Sequence, residues 1–213
     1  MPSPDLSLTT GPARAEEGHL GHVLRIVGLL VGMVLLVSAG NILAWRYPDP
    51  DDILRLVQVR DLLAGQGWFD PGQHRIDPLR DVPMLTLGVA MAFTGLVAVR
   101  MLGRETGGWA VLLAGTMPLL IHQFQPLRID HHGWQIACLA VAFWGLSRGD
   151  RRLGPIVAGL AMAWGLTISI EMLPLAGLVG AIFALRWLRA AERAALAHYM
   201  QALAGGLVAL FLA

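Results

Sequence analysis

The sequence predicts an all-α polytopic membrane protein with about six complete spans and a truncated seventh. Of its 213 residues, 55% are hydrophobic and only 15% are charged, whereas soluble domains carry about 25% charged residues. The charged residues lie in short segments between long apolar stretches. A water-soluble globular domain is therefore excluded, because it would have to expose these stretches to water.

The predicted spans follow from the length of each apolar stretch. A helix needs about 20 apolar residues to cross the hydrocarbon core of a bilayer. Complete spans are predicted at 22–45, 82–102, 107–124, 133–146, 153–170 and 172–187. The last apolar stretch, 202–213, is too short to span, so we expect it to begin a seventh span in the front part of a longer protein. A cleaved signal peptide is the alternative for the first stretch, but its apolar run exceeds the usual length of about 7–15 residues.

Arginine placement predicts the direction in which the spans run. All 16 basic residues are Arg, and the polar, proline-containing residues 1–21 are predicted to form a disordered cytoplasmic tail. With alternating spans, ten arginines fall inside and six outside, which follows the positive-inside rule. The inner arginines are Arg14, Arg25, Arg100, Arg104, Arg148, Arg151, Arg152, Arg186, Arg189 and Arg193. We therefore expect the N-terminus to be cytoplasmic and the loops 46–81 and 125–132 to lie on the outer side of the membrane.

Net charge and cysteine content exclude further classes of function. The formal net charge of +1 provides no basic field that would attract nucleic acid, so no nucleic-acid partner is expected. The single Cys138 excludes an internal disulfide and a zinc site built from several cysteines. Residues 22–213 are predicted to form one incomplete transmembrane domain.

The first outer loop, 46–81, is acidic and is predicted to contain an amphipathic helix. Pro48 and Pro50 keep the entry extended, an Asp begins the helix as its N-cap, and Gly65 ends it. Three acids lie within four positions: Asp49, Asp51 and Asp52. One Asp would suffice to stabilise the helix N-terminus, whereas crowded carboxylates are typical of a divalent-cation site. Helix capping alone is the alternative.

The second outer loop holds Asp130, His131 and His132 between two apolar segments. Ionisable residues are costly at such a position unless they serve a function. In an extended loop, residues two apart point the same way, so Asp130 and His132 are predicted to share a ligand while His131 turns aside. A carboxylate with an imidazole suits Mn²⁺ or Mg²⁺ with further oxygen ligands. A turn that contacts lipid headgroups is the alternative.

Further candidate residues surround this predicted cation site. Because both loops lie on the outer side, Asp51 is expected to join Asp130 and His132 on one ion. Arg128 is expected to pair with a substrate phosphate oxygen, or else with a lipid headgroup. Glu171 lies at an outer tip between two spans, where it either lines the cavity or contacts interfacial water. The remaining substrate-binding candidates are Asp49, Asp52 and His131.

These motifs resemble the GT-C membrane glycosyltransferases, and most closely the catalytic subunit of single-subunit oligosaccharyltransferases. The likeness covers roughly residues 41–187 and is carried by the acidic first loop, with Arg60-Asp61-Leu62-Leu63-Ala64-Gly65, and by the Asp-x-His of the second. The resemblance implies a GT-C fold and a divalent metal, Mn²⁺ or Mg²⁺, bound by Asp51, Asp130 and His132, of which the two acids are catalytic. The chain departs from that family in a reduced first loop and in lacking the later spans and the soluble domain with a Trp-Trp-Asp motif.

The resemblance implies a membrane glycosyltransferase or a fragment of one. Its donor would be a sugar or oligosaccharide on a polyprenyl phosphate or pyrophosphate, used with the help of a metal at the outer, periplasmic face of a bacterial inner membrane. The acceptor would be a protein, a lipid or a glycan. A transporter component and a noncatalytic membrane protein are the alternatives. A transporter is expected to place charges in the middle of its spans, whereas the acids here lie near predicted outer ends.

Overall fold

A computed structural model describes residues 12–45, 60, 63–65, 83–126, 128 and 131–212, and the regular secondary structure among these residues consists of helices. The helices are α1 (Pro12–Leu43), α2 (Pro83–Leu102), α3 (Thr106–Thr116), α4 (Pro118–Gln123), α5 (His131–Ser147), α6 (Leu153–Ile168), α7 (Leu173–Ala190) and α8 (Arg193–Leu212), with a 3₁₀ turn at Ile170–Met172. The all-α prediction is confirmed for these residues. The GT-C arrangement of the helices stays a prediction.

Four helical segments are long and apolar enough to cross a membrane. They are Leu20–Leu43, Met84–Leu102, Ile170–Ala190 and Arg193–Leu212, and the apolar helix Leu153–Ile168 is shorter. Most residues of these segments are not buried by other parts of the protein. Apolar helices with such exposed sides are typical of proteins surrounded by lipid.

Three sequence predictions about the helices were wrong. Residues 12–21 of the predicted disordered tail are helical, and its residues 1–11 lie outside the described part of the chain. The predicted single span 107–124 is two helices of 11 and 6 residues, because Pro118 keeps Met117 in an extended conformation. The final helix begins at Arg193 and has 20 residues, so the predicted truncated span is long enough to cross. Alanines with high helix propensity extend it through the polar residues that precede 202.

The first outer loop falls mostly outside the described residues. Arg60 and Leu63 are helical, and the Ala64 N–H donates to the Arg60 carbonyl at 2.9 Å. Gly65 then adopts φ +102°, a conformation that glycine tolerates best and that commonly ends a helix. These few residues agree with a helix that ends at Gly65, while its predicted start and its amphipathic face lie outside the described part.

Two buried clusters hold the helices together. The first lies between α1, α2 and α3 and includes Met91, Val111 and Phe124. The second lies between α5, α6, α7 and α8 and includes Phe183 and Tyr199. The hydroxyl of Tyr199 donates to the Ala176 carbonyl at 2.7 Å and so joins α8 to α7. Helices on either side of α5 are thereby linked into one bundle through that helix.

Glycines allow some of these helices to approach closely. A methyl group added at Gly159 would lie 2.6 Å from the Tyr199 carbonyl oxygen and 2.8 Å from the Ala202 Cβ. The backbone of α6 therefore contacts that of α8 almost directly. Such contacts between small residues are typical of membrane helices, which gain little from burying apolar surface that lipid already covers.

The turns α2–α3, α5–α6 and α7–α8 lie together at one end of the bundle, which we name the basic end. Arg100 in α2 donates to the Arg148 carbonyl at 3.2 Å, and Arg186 in α7 donates to the Leu146 carbonyl at 3.2 Å. The described arginines of this end are Arg100, Arg104, Arg148, Arg151, Arg152, Arg186, Arg189 and Arg193. The predicted grouping of these arginines on one side agrees with this arrangement.

Asp150 organises the turn between α5 and α6 at the basic end. Its carboxylate accepts hydrogen bonds from the N–H groups of Gly154 at 2.9 Å and Arg152 at 3.1 Å, and from Arg148 Nε at 2.6 Å. Burial raises the pKa of Asp150, but the hydrogen bonds and the charge of Arg148 outweigh this and hold the pKa below its usual value. The carboxylate therefore caps the start of α6 in its charged form.

Candidate metal-binding site

The structure describes half of the predicted site residues. These described residues are Arg128, His131, His132 and Glu171. Asp49, Asp51, Asp52 and Asp130 lie outside the described residues. The shared ion on Asp51, Asp130 and His132 therefore stays a prediction, and the geometry below concerns the described half.

His131, His132 and Glu171 lie together at the end of the bundle opposite the basic end. We name these three residues the histidine–glutamate cluster. Each offers one ligand atom, and these atoms all lie within 4.8 Å of one another. His131 Nε2 lies 3.4 Å from Glu171 Oε2, and the imidazole rings are 4.3 Å apart between centroids. Two imidazoles and a carboxylate form a ligand set that divalent metals use.

The histidines belong to a helix rather than to an extended loop, which corrects the predicted loop 125–132. Helix α5 already begins at His131. Asp130 lies outside the described residues, so the ligand that Asp130 and His132 are predicted to share stays a prediction, whereas the expectation that His131 turns aside is wrong. His131 is instead the histidine whose Nε2 approaches Glu171.

Gln135 joins the cluster and was missed by the sequence analysis. Its Nε2 donates to Glu171 Oε2 at 3.0 Å, and its Oε1 lies 3.1 Å from His132 Nδ1. Residues three and four positions apart on a helix lie side by side, which brings Gln135 beside His132 and His131. The spacing His-His-x-x-Gln, taken as helical, is the signal that would have identified it.

The hydrogen bonds of Gln135 fix the tautomer of His132. A carboxylate without a proton only accepts hydrogen bonds, so the Gln135 amide must present its NH₂ to Glu171 and its carbonyl oxygen to His132. His132 Nδ1 must therefore donate its proton to that oxygen. In the neutral ring this leaves the lone pair on Nε2 free of a proton, which is the state that a metal ligand requires.

The side chain of Met172 anchors the turn that carries Glu171. Glu171 is exposed, with 63% of its side-chain surface accessible, whereas Met172 is 1% exposed. Met172 packs on α6 at Gly165, where an added methyl group would lie 2.9 Å from the Met172 Cε and 3.5 Å from the Cys138 Cβ of α5. The Glu171 N–H also donates weakly to Ser169 Oγ at 3.4 Å. The Glu171 carboxylate is thus exposed, while the buried side chain of Met172 holds the turn against α6.

Arg128 is buried near the same end, with 8% of its surface accessible. Its Nη1 lies 3.1 Å from His122 Nε2, and because a guanidinium only donates, the imidazole accepts at Nε2. This bond holds the connection between α4 and α5 to the end of α4. The predicted pairing of Arg128 with a substrate phosphate stays a prediction.

Packing places this connection against the start of α5. A methyl group added at Gly133 would lie 3.3 Å from the Phe124 ring and 3.3 Å from Thr86 Oγ1. The ends of α2 and α4 therefore meet the first turn of α5.

Comparison with known proteins yields no relative. No family model matches the chain, and neither a curated protein nor a solved structure matches it significantly. The likeness to GT-C enzymes is therefore carried by the sequence motifs alone.

Proposed function

We propose that the chain is the membrane part of a metal-assisted glycosyltransferase of the GT-C type, acting on a polyprenyl-phosphate-linked sugar donor at the outer face of a bacterial inner membrane. The observation that carries the proposal is the approach of Glu171 to His131, at 3.4 Å between Oε2 and Nε2. It brings residues 40 positions apart into one polar group at the end of apolar helices. Asp51 and Asp130 are proposed to complete this group.

A lipid-linked donor suits the surroundings of the cluster. Ile170 and Leu173 flank Glu171 and are 73% and 56% exposed. A polyprenyl chain would contact apolar side chains of this kind within the bilayer, while its phosphate would lie at headgroup depth beside the polar cluster.

The metal has a direct purpose in such a reaction. When bound, a divalent cation supplies positive charge that stabilises the phosphate leaving group as the glycosidic bond breaks. The protein side chains would orient the reactants: Arg128 is proposed to pair with a phosphate oxygen, and Asp49 or Asp52 to accept the proton of the acceptor hydroxyl. Sugar transfer to a protein, a lipid or a glycan would use the same arrangement.

The distribution of charge favours an enzyme over a transporter component. Most of the charged and histidine side chains that the structure describes lie in turns or near helix ends, as Arg100 and Arg186 do at the basic end and Glu171 does at the other. His22 and Arg25 lie within α1, close to the start of its apolar segment Leu20–Leu43. Transporters instead bind their substrates near the bilayer midplane, at broken helices. The break between α3 and α4 lies at Met117–Pro118, and neither of these two residues is ionisable.

Donor cleavage is the reaction that tests the proposal. The full chain, purified in detergent, should release sugar from short-chain prenyl phosphate and pyrophosphate sugars in the presence of Mn²⁺, with water as the acceptor. Chelation with EDTA should stop the release and added Mn²⁺ should restore it. Asp130→Asn and His132→Ala are expected to lower the rate, since both remove predicted metal ligands.

Glu105→Gln is the matched control, because Glu105 is an exposed acid at the basic end. It should leave donor cleavage unchanged. Absence of cleavage across a panel of sugars, in a chain that retains its helical content, would contradict the proposed function.

A further inference from the structure

We infer that His131, His132 and Glu171 together bind a first-row transition-metal ion, and that Gln135 positions two of these ligands. The inference deepens the proposed function by assigning its metal to two residues, His131 and Glu171, that the family resemblance leaves out of the metal site. Its test measures metal binding directly and requires no sugar transfer.

The distances within the cluster fit a single ion. Two atoms that each lie about 2.1 Å from one ion are separated by roughly 3.0 Å at a right angle and roughly 3.4 Å at the tetrahedral angle. The separation of His131 Nε2 from Glu171 Oε2 is 3.4 Å. All three ligand atoms lie within 4.8 Å of one another, so the cluster needs only small side-chain rotations to close around the ion.

The protonation pattern prepares the cluster for a cation. The amide oxygen of Gln135 lies 3.1 Å from His132 Nδ1 and accepts the proton of that nitrogen, so in the neutral ring Nε2 carries the lone pair that can bind a metal. This is the arrangement found around metal-bound histidines, whose second ring nitrogen usually donates to an outer oxygen. His131 Nε2 lies 3.4 Å from Glu171 Oε2, so a cation placed between these two atoms would contact both groups.

The ligand types predict which ion binds best. Imidazole nitrogen favours Zn²⁺, Fe²⁺ and related ions, whereas Mg²⁺ and Ca²⁺ prefer sites made of oxygen ligands. Two of the three ligands here are imidazoles. We therefore expect Mn²⁺ to bind more tightly than Mg²⁺ and Zn²⁺ to bind more tightly than Mn²⁺, following the order of affinities for such sites.

Electron paramagnetic resonance of Mn²⁺ tests the assignment on the full chain in detergent. Wild type should bind one Mn²⁺ with hyperfine couplings to imidazole nitrogen. Glu171→Gln should weaken binding by more than about tenfold, the lower limit known for even outer-shell partners, and should keep the nitrogen couplings. His131→Gln and His132→Gln should each weaken binding and reduce the nitrogen signal. Zn²⁺ should displace Mn²⁺ at lower concentration than Mg²⁺ does.

The control variants are Glu105→Gln and His22→Ala, which change an acid and a histidine near the basic end, where both line one shallow cavity. They should bind Mn²⁺ as wild type does.

Unchanged Mn²⁺ affinity in Glu171→Gln would overturn the inference. Because the Glu171 side chain is exposed, its replacement should not unfold the chain. Mn²⁺ binding with the expected ligands but without donor cleavage would leave the inference standing and contradict the proposed function. Donor cleavage by wild type, together with an unchanged Mn²⁺ affinity in Glu171→Gln, would support the proposed function and overturn the inference.

Discussion

His131 Nε2 lies 3.4 Å from Glu171 Oε2, across the gap between the first turn of α5 and the 3₁₀ turn that follows α6. Neither segment could form this contact alone, since the imidazole and the carboxylate belong to opposite sides of a helical hairpin. The contact therefore depends on the close packing of α5 with α6. Any metal binding that needs both His131 and Glu171 depends on the same packing.

Replacement of Gln135 should reveal its positioning role. Gln135→Leu removes the acceptor for His132 Nδ1 and the donor to Glu171, so we expect Mn²⁺ affinity to fall by about 10- to 100-fold, as for other outer-shell partners. The nitrogen couplings of bound Mn²⁺ should persist, because both histidines remain. Gln201→Leu is the control, since Gln201 is an exposed glutamine in α8. Loss of a nitrogen coupling in Gln135→Leu would indicate that Gln135 does more than position.

Close packing of α6 with α8 predicts a large effect from one methyl group. In Gly159→Ala the new Cβ would lie 2.6 Å from the Tyr199 carbonyl oxygen, so the helices must separate, at a cost of about 1–3 kcal/mol. Gly177→Ala in α7 meets nothing within 4 Å and should instead stabilise the helix by about 0.5–1 kcal/mol. Thermal unfolding in detergent, followed by circular dichroism, measures both. Equal melting temperatures for the two variants would contradict the described contact.

Asp150 should make the stability of the chain depend on acidity. Its pKa is held below the usual value in the folded state, so its contribution is complete above the unfolded pKa of about 3.9 and is lost as the pH falls through the folded pKa. Asp150→Ala should therefore lower stability at neutral pH by about 1 kcal/mol, as expected for a lost helix cap. The difference between the variant and wild type should shrink in acid.

The same unfolding experiment supplies the control for Asp150. Glu105→Ala removes an acid that makes no side-chain hydrogen bond to the start of α3, and its effect should remain within about 0.5 kcal/mol at every pH. A constant difference between Asp150→Ala and wild type down to strong acid would show that the charge of Asp150 contributes nothing.

Cysteine labelling tests the proposed orientation of the basic end. The chain has one cysteine, Cys138, which is buried. Trp45→Cys and Arg151→Cys would place thiols at exposed positions near opposite ends of the bundle. If the basic end is cytoplasmic, a membrane-impermeant maleimide should label Trp45→Cys in intact bacterial cells and Arg151→Cys only after permeabilisation. The opposite pattern would place the histidine–glutamate cluster in the cytoplasm.

Hydropathy predicts the helices whose ends coincide with changes in polarity. The predicted stretch 82–102 corresponds to α2 at Pro83–Leu102, and 153–170 corresponds to α6 at Leu153–Ile168. It fails where the helix continues beyond the apolar stretch, as at Arg193, or where the backbone breaks within it, as at Met117. Backbone propensity decides both cases, and Pro118 carries the visible signal of the break.

The candidate site is less predictable than the helices because its geometry is tertiary. The sequence identifies His131, His132 and Glu171 as unusual residues at the ends of apolar stretches. It does not place Glu171 beside His131, because a contact across 40 positions depends on how α5 and α6 pack. The prediction that His131 turns aside was wrong because it treated the first turn of α5 as an extended loop.

The burial of Met172 gives the surface carboxylate beside it a mechanical link to the interior. Its side chain sits against Gly165 of α6 and near Cys138 of α5, so a change in the spacing of these two helices would shift the turn and carry Glu171 with it. A bulkier residue at Gly165 would press on the Met172 side chain and would thereby alter the distance between the Glu171 carboxylate and the His131 imidazole. The spacing between α5 and α6 thus determines how closely the Glu171 carboxylate can approach the His131 imidazole.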